Sequence, residues 1–424
     1  MAAFPQTFTS TVSHWQATNR GPDALYGHGK TDSLPTGVVD YVIIGAGLSG
    51  ASLAYHLSRP GVCDDKRIVV LEGKDVASGA TGRNGGHIAP YSFASLSGFT
   101  RPLEAGGSGL TMDDALDIMK MEVRNLDLVT EIVMREKWDV DLWRGEKLEV
   151  VDTLEEKEVM DTSYEVWIEA LKTRRDVPDW DWVTDEAEAN RVSRHPKAIA
   201  FSRGKAGSVH SHKLCTAFMK SALASGRVDL FSWCPVQSID KGPNEGWNVQ
   251  CHERGVVRAN EVIVCTNGYT RNLFKNHPIS DHLSPYRGHA TQVTPTLPYS
   301  GPGALKHTLC IENGPYLIFT PSSGWVFGVG YADIIRQKAG THDDVMGATD
   351  DGIVPEGIKQ WLASYCKEEF EGWGEEAPGE GAQRFWSGIQ CASRDRLPLV
   401  GQVPGSPGLE EAVGVWEPSD PVMT

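Results

Sequence analysis

At 424 residues the chain exceeds what one hydrophobic core usually serves, so two domains are the starting expectation. Its 40% hydrophobic and 23% charged residues are those of a folded globular protein, and a formal charge of -16 counts against nucleic acid or an anionic membrane as main partner. No apolar run reaches the roughly 18 residues that a membrane-spanning helix needs.

The cysteines, Cys63, Cys215, Cys234, Cys251, Cys265, Cys310, Cys366 and Cys391, form no CxxC pair and no zinc-like spacing, which predicts reduced thiols in an intracellular protein. The opening MAAFPQTFTSTVSHWQATNR has neither a basic segment nor a long apolar one, so no secretory signal is expected. The closing PVMT does not match an SKL-type peroxisomal address, which leaves a cytoplasmic location by elimination.

Residues 1–38 are polar and broken by Gly and Pro, and they read as an arm leading into the first strand. Val39–Gly50 (VDYVIIGAGLSG) follows. Its apolar run Tyr41–Ile44 is that of a buried parallel strand, and it ends on a turn made by Gly45, Ala46, Gly47, Leu48, Ser49 and Gly50. Gly45 suits a tight strand-to-helix turn, Gly47 lets backbone approach a pyrophosphate, and Gly50 permits close helix–strand packing. The helix beginning near Leu48 then aims its N-terminal N–H groups and dipole at phosphate. Arg67–Glu72 (RIVVLE) is a second short buried strand, and Glu72 stands where a carboxylate accepts hydrogen bonds from a ribose diol. A phosphorylated ribose would be repelled there, so NADP is disfavoured. These elements make a dinucleotide-binding βαβ unit.

A second glycine-rich run, ASGATGRNGGH, ends at His87. Helical spacing of Leu116, Met119, Val123, Leu126, Val129 and Val133 predicts an amphipathic helix over 112–138. Trp143–Asp152 reads as a strand, Thr153 and Glu156 as a capping box opening another helix, and the Trp-rich stretch Pro178–Glu188 as a surface segment. Ser211–Gly226 is a third helix, capped by its serine and glycine. Short strands follow at Val228–Trp233, Trp247–His252 and Val256–Val264, the last ending in the small-residue turn CTNGYT. Alternation between Pro285 and Tyr331 predicts antiparallel sheet, and Asp343–Glu380 a helix with surface loop.

The combination of VIIGAGLSG, Glu72, GATGRNGGH, CTNGYT and DRLPLVG resembles the FAD-dependent D-amino-acid oxidase superfamily, and within it the branch of gamma-glutamylputrescine oxidase. The resemblance runs from about His14 to about Gly414. It implies an α/β fold in which a Rossmann-like ββα FAD-binding domain (39–98, 200–275 and 385–424) is joined to a mostly antiparallel α+β substrate domain (99–199 and 276–384). It also implies that Ser78, Gly79, Ala80, Thr81, Gly82, Arg83, Asn84, Gly85, Gly86 and His87 pass beside the flavin and its diphosphate, where small residues let backbone approach a flat ring. Val236 would lie near the adenine, Thr266, Asn267 and Gly268 would flank the cofactor, and Asp395–Gly401 would lie near the pyrimidine end.

No second GxGxxG supplies a nicotinamide site, since the GVG at Gly328–Gly330 runs into YADII. An organic substrate is therefore expected to reduce the flavin, and by the resemblance the reaction is hydride removal beside an amine nitrogen of a small amine or amino acid, with oxygen or another acceptor closing the cycle. Candidate substrate contacts are Arg287, Tyr316 and Trp386. Arg287 suits either a bidentate carboxylate clamp or a structural role between domains, and the two aromatics either a flavin wall or sheet core. A flavin oxidase tailoring a biosynthetic intermediate shares the same signature. His87 and Cys391 raise the question of a covalent flavin, but a hydrogen-bonded imidazole and a packed thiol are the preferred readings, so the FAD is expected to be non-covalent. His210 and His212 lack further ligands nearby, and no metal is expected. Relatives continue past DRLPLVG into a GHGM-like turn and a last helix facing the flavin pyrimidine, whereas this chain passes Gly414, Val415 and Trp416 into EPSDPVMT. That departure is expected to replace or weaken the stabilisation of the reduced flavin, leaving a flavin-binding relative without turnover as a further alternative.

Overall fold

The computed structural model describes residues 9–174, 176–242, 246–311 and 315–413. Strand Val38–Ile44 lies inside the first of two sheets, flanked in parallel by Ile68–Leu71 and Gly255–Val264. The register sets Ile44 beside both Leu71 and Val264, so the three strands end level. Val228–Phe231 and Leu409–Val413 extend the sheet in parallel on either side, and antiparallel Leu399–Gln402 closes one edge. The central strand is apolar on both faces because both are covered. Ile43, Ile68 and Val70 pack with helices Leu48–Leu57 and Ser211–Ala224, while Val42, Ile44 and Val69 face the meander Val236–Lys241 and Trp247–Cys251.

The second sheet is mostly antiparallel and runs in the order Gly381–Ser393, Leu283–Thr294, Gly324–Val329, Tyr316–Thr320, Thr308–Ile311, Trp143–Val151, Ala200–Ser208, His87–Ile88. Leu148, Leu309, Leu317 and Phe327 bury one face against helix Glu356–Glu369. Val151 and Ala200 bury part of the other against Met119 and Trp167 of helices Met112–Glu136 and Leu154–Leu171. This is the expected α/β class, one open parallel sheet and one antiparallel sheet. Two strands in stretches assigned to the nucleotide domain, His87–Ile88 and Ala200–Ser208, and most of a third, Gly381–Ser393, which crosses the expected boundary at 385, pair in the second sheet. Partners distant in sequence fix that membership. No helix among the described residues is long and apolar enough to cross a membrane.

Local readings change at three places. Helix Ser211–Ala224 is capped by His210, whose Nδ1 accepts from Lys213 N at 3.2 Å, so Ser211 is already helical. Within the Trp-rich stretch, Asp181–Val183 pairs with Ala200–Ser208, and Trp180 is buried beneath that edge. The arm is not a loose leader: helix His14–Thr18 opens with a reciprocal Ser13–Gln16 capping box and buries Trp15 to 1% exposure.

Where arm and helix meet, three histidines are buried, His14 and His210 against Trp15 and His212 against Tyr26. Burial holds His14 and His212 down at about 4 and His210 at about 3. All three are neutral in the folded protein, yet each ionises near 6.5 once unfolded. The unfolded chain therefore binds more protons as pH falls from about 6.5 towards 4, and the histidines' contribution to stability, full above that window, is lost through it. Half-buried Glu122 works the other way: loss of water lifts its carboxyl to about 7, so its contribution is present below the ordinary carboxylate range and lost as pH rises through 7. Three groups outweigh one. The urea midpoint is expected to be lower at pH 5 than at pH 7.5, by the equivalent of a few kcal/mol, a tenfold change in proton affinity being worth about 1.4 kcal/mol. An equal or higher midpoint at pH 5 would contradict this.

Candidate functional site

The level ends of the parallel strands open onto a cleft of about 460 Å³. Gly45 leaves the central strand at φ +105°, and a Cβ there would lie 2.5 Å from Cys265 O, so the turn takes only glycine. Gly47 then caps helix Leu48–Leu57 without a side chain. Thr81 Oγ1 accepts from Leu48 N at 2.8 Å, tying the second glycine run to the start of the helix. Gly50 sits so close beneath the turn that a Cβ would overlap the Gly45 carbonyl oxygen.

Of the residues singled out for the cofactor, Gly45, Gly47, Leu48, Ser49, Glu72, Ser78, Gly79, Ala80, Thr81, Asn84, His87, Val236, Thr266 and Asn267 line this cleft. Pro398 and Val400 of the late motif do so as well. The others stand behind it. Ala46 gives its N–H to Glu72 Oε2 at 2.7 Å, Gly268 packs against the Gln390 carbonyl, and Gly85 packs against Ile318 and Tyr316. Gly86, at φ +77°, packs against Trp15 and the Val209 carbonyl. Arg83 points away: it donates to Ser78 O at 2.8 Å, Ser387 O at 2.9 Å and Thr11 Oγ1 at 2.9 Å, and pairs with Asp351 at 3.2 Å.

The three substrate-contact candidates also lie outside the cleft lining. Arg287, 6% exposed, donates to the backbone carbonyls of Asp350 at 2.6 Å and Asp344 at 3.0 Å, which secures the segment that delivers Asp351. Trp386 is fully buried with its Nε1 on Arg83 O at 2.7 Å, and Tyr316 fills a slot between Gly85 and Gly328. Cys391 lies in the core beside the first sheet, its thiol pushed up to about 12 by burial. His87 borders the cleft with Nε2 at 2.8 Å from Thr308 Oγ1.

Asp351 and Gln390 line the cleft without any local signal in the sequence. Asp351 comes from the loop before helix Glu356–Glu369 and lies 3.7 Å from Lys74, two residues after Glu72. Gln390 comes from the last long strand and accepts from Tyr286 Oη at 2.5 Å. Tyr269 also lines the cleft, and its place in the CTNGYT turn, two residues after Asn267, is the signal that could have found it.

Behind His87 lies a buried ionic group. Lys147 Nζ meets Glu149 Oε1 at 2.7 Å and Pro90 O at 3.0 Å and stands over the Trp180 ring at 5.2 Å, while Ser202 donates to the second Glu149 oxygen. Burial lifts the Glu149 carboxyl, but Lys147 and its hydroxyl donors pull it below the ordinary range. Burial, aided by the Lys147 ammonium, holds His87 down at about 3, so its imidazole is neutral.

A family model described as FAD dependent oxidoreductase matches residues 40–416. The chain belongs to that family. It is 25% identical over 254 residues to the probable oxidoreductase OrdL of Haemophilus influenzae (58% of this chain, 53% of that protein) and 25% identical over 260 residues to glycine oxidase of Bacillus licheniformis (60% and 61%). The matches thus span little more than half the length of these curated relatives. Among solved structures, glycine oxidase from Geobacillus kaustophilus superposes with a TM-score of 0.67 at 20% identity, covering 89% of this chain and 90% of that one. L-Amino acid deaminase from Proteus myxofaciens gives 0.69 at 17%, covering 97% and 91%. These likenesses show the fold. The stretch where the chain was expected to depart from the relatives' GHGM-like element, residues 414–424, lies outside the described residues.

FAD, the cofactor of this family, fits the residues present. Asn267, held at φ +46°, lines the cleft with its buried Oδ1 lacking a hydrogen-bond partner among the described residues, an acceptor placed for a cofactor donor. The N-terminus of helix Leu48–Leu57, whose cap residue Gly47 has no side chain, suits the diphosphate. Glu72, whose oxygens accept from Ala46 N and Lys74 N and whose carboxyl burial lifts, keeps lone pairs for a ribose.

Proposed function

We propose that the protein oxidises a C–N bond of a small amine or amino acid. The observation that carries this reading is the continuity of one cleft from Glu72, past the helix N-terminus, to Asn84, His87 and Gln390 beside the second sheet. Bound there, FAD supplies the acceptor for a hydride from the carbon next to an amine nitrogen. Glu72 would hold the ribose, the helix N-terminus the diphosphate, and Asn84, His87 and Gln390 would border the reactive end.

The reactive form of an amine is neutral. His87 adds no positive charge beside the incoming amine, since burial keeps its ring uncharged. No arginine among the described residues lines the cleft, Arg287 being tied to Asp344 and Asp350, which favours an amine over a substrate held by a carboxylate clamp. The SGATGRNGG run favours the branch of gamma-glutamylputrescine oxidase, and the absence of a nicotinamide motif from the sequence favours reoxidation by oxygen or another acceptor.

The test is aerobic turnover of FAD-loaded protein with a panel of amines and amino acids, following peroxide and carbonyl product together. Stoichiometric carbonyl with an amine, and peroxide where oxygen is the acceptor, is expected. Retention of FAD with no product from any member, whether oxygen or an artificial acceptor is offered, would favour a flavin-binding protein without turnover.

A further inference from the structure

Three successive backbone carbonyls of the second glycine run are capped from outside the cleft. Gly82 O accepts from the Ser13 hydroxyl, Arg83 O from the Trp386 indole at 2.7 Å, and Asn84 O from the Trp15 indole at 2.7 Å. Two of the three caps come from the N-terminal arm, about 70 residues upstream, and Ser13 and Trp15 are both fully buried.

Shape reinforces the hydrogen bonds. The Trp15 ring lies directly under Gly86, where a Cβ would come within 2.8 Å of Cζ2, and it packs with Ile318, Val326 and Trp386 of the second sheet. Thr11, two residues before Ser13, ties the same run to its surroundings: its hydroxyl accepts from Arg83 Nη1 at 2.9 Å and Ser387 N at 3.1 Å and donates to Asp351 O at 2.8 Å. The arm thus joins the glycine run, the last strand of the second sheet and the Asp351 segment at one point.

Of Gly82–Gly86, Asn84 lines the cleft, and its carbonyl is drawn away onto Trp15. The N–H groups of Asn84 and Gly85 find no protein acceptor among the described residues.

We propose that Ser13 and Trp15 are positioning residues for the flavin: the arm fixes the backbone of Gly82–Gly86 so that the unbound amides of Asn84 and Gly85, rather than the run's carbonyls, are left for the cofactor. This rests on the reading of the cleft as an FAD site. A glycine-rich segment has no stiffness of its own, so the direction of its peptide groups must be imposed by neighbours. Buried carbonyls left without donors would turn back towards whatever donors or solvent they could reach.

Trp15→Phe keeps the ring and removes one donor, Ser13→Ala removes one hydroxyl, and Val12→Ala changes a side chain that caps no carbonyl. FAD affinity, the visible spectrum of the bound flavin and the melting temperature with and without FAD are measured on the full chain. Trp15→Phe and Ser13→Ala are each expected to weaken FAD binding by about tenfold, alter the flavin spectrum and shrink the FAD-induced rise in melting temperature, with Val12→Ala matching wild type. A merely structural role would lower both melting temperatures alike and leave affinity and spectrum unchanged, and that result overturns the proposal. If Trp15→Phe does not fold, Ser13→Ala decides alone. Wild-type protein that binds no FAD overturns the cofactor reading and this proposal together, whereas wild-type binding with unaffected variants overturns only the arm's role.

Discussion

Gly50→Ala is expected to weaken FAD binding at least about 100-fold, a loss of roughly 3 kcal/mol. The added methyl has no space, because it would overlap the Gly45 carbonyl oxygen and also press on Ile43 Cγ2 at 3.2 Å. Ile43 is fully buried in the sheet and cannot give way. Relief can come only from lifting helix Leu48–Leu57 off the strand or from moving Gly45, which already holds φ +105° against Cys265 O. Either movement displaces the helix N-terminus from the phosphate position. Isothermal titration of the variant with FAD is the check, with far-ultraviolet circular dichroism showing that the fold persists. Affinity within threefold of wild type would mean that the turn is looser than its geometry.

The second large effect concerns Lys147. Lys147→Met is expected to destabilise the protein by about 3–5 kcal/mol, since it leaves Glu149 buried and without its counter-charge. Lys147→Met combined with Glu149→Gln removes both charges, and the new amide oxygen would still accept from Ser202. The double variant is therefore expected to recover most of the loss, to within about 1–2 kcal/mol of wild type. Urea unfolding of the three proteins measures this coupling. A single variant that costs under about 1 kcal/mol would place the pair in the weak class of surface ion pairs.

Much of the site was legible because its chemistry is local. The GAGLSG turn, Glu72 and the SGATGRNGG run carry their meaning in backbone requirements that neighbouring residues satisfy, and the cleft gathers most of them. Long helices and the central strands were legible for the same reason: periodicity is a property of a segment, and Met112–Glu136 and Val38–Ile44 have it.

What was not legible depends on distance along the chain. Asp351 and Gln390 reach the cleft only through pairings and loops formed hundreds of residues from Gly45. Arg287 has the composition of a carboxylate clamp, yet two backbone carbonyls decide its use. Trp386 and Tyr316 were equally consistent with a flavin wall and with core, and the position of Trp15 underneath the glycine run settled their packing. The arm itself carried a readable signal, the Ser13–Gln16 capping box, masked by the polar residues around it. His210 serves as a helix cap where the serine beside it has the better propensity, because the Lys213 amide lies within reach of its Nδ1.

The central claim is that the cleft holds FAD and that a C–N substrate reduces it. Anaerobic mixing of the FAD-loaded protein with each member of an amine panel, followed by the flavin's visible absorbance, tests it most directly. The account predicts that at least one amine bleaches the flavin and that admitting oxygen or an artificial acceptor restores the colour. Protein that stays colourless after incubation with FAD, or a bound flavin that no amine or amino acid bleaches, would contradict it.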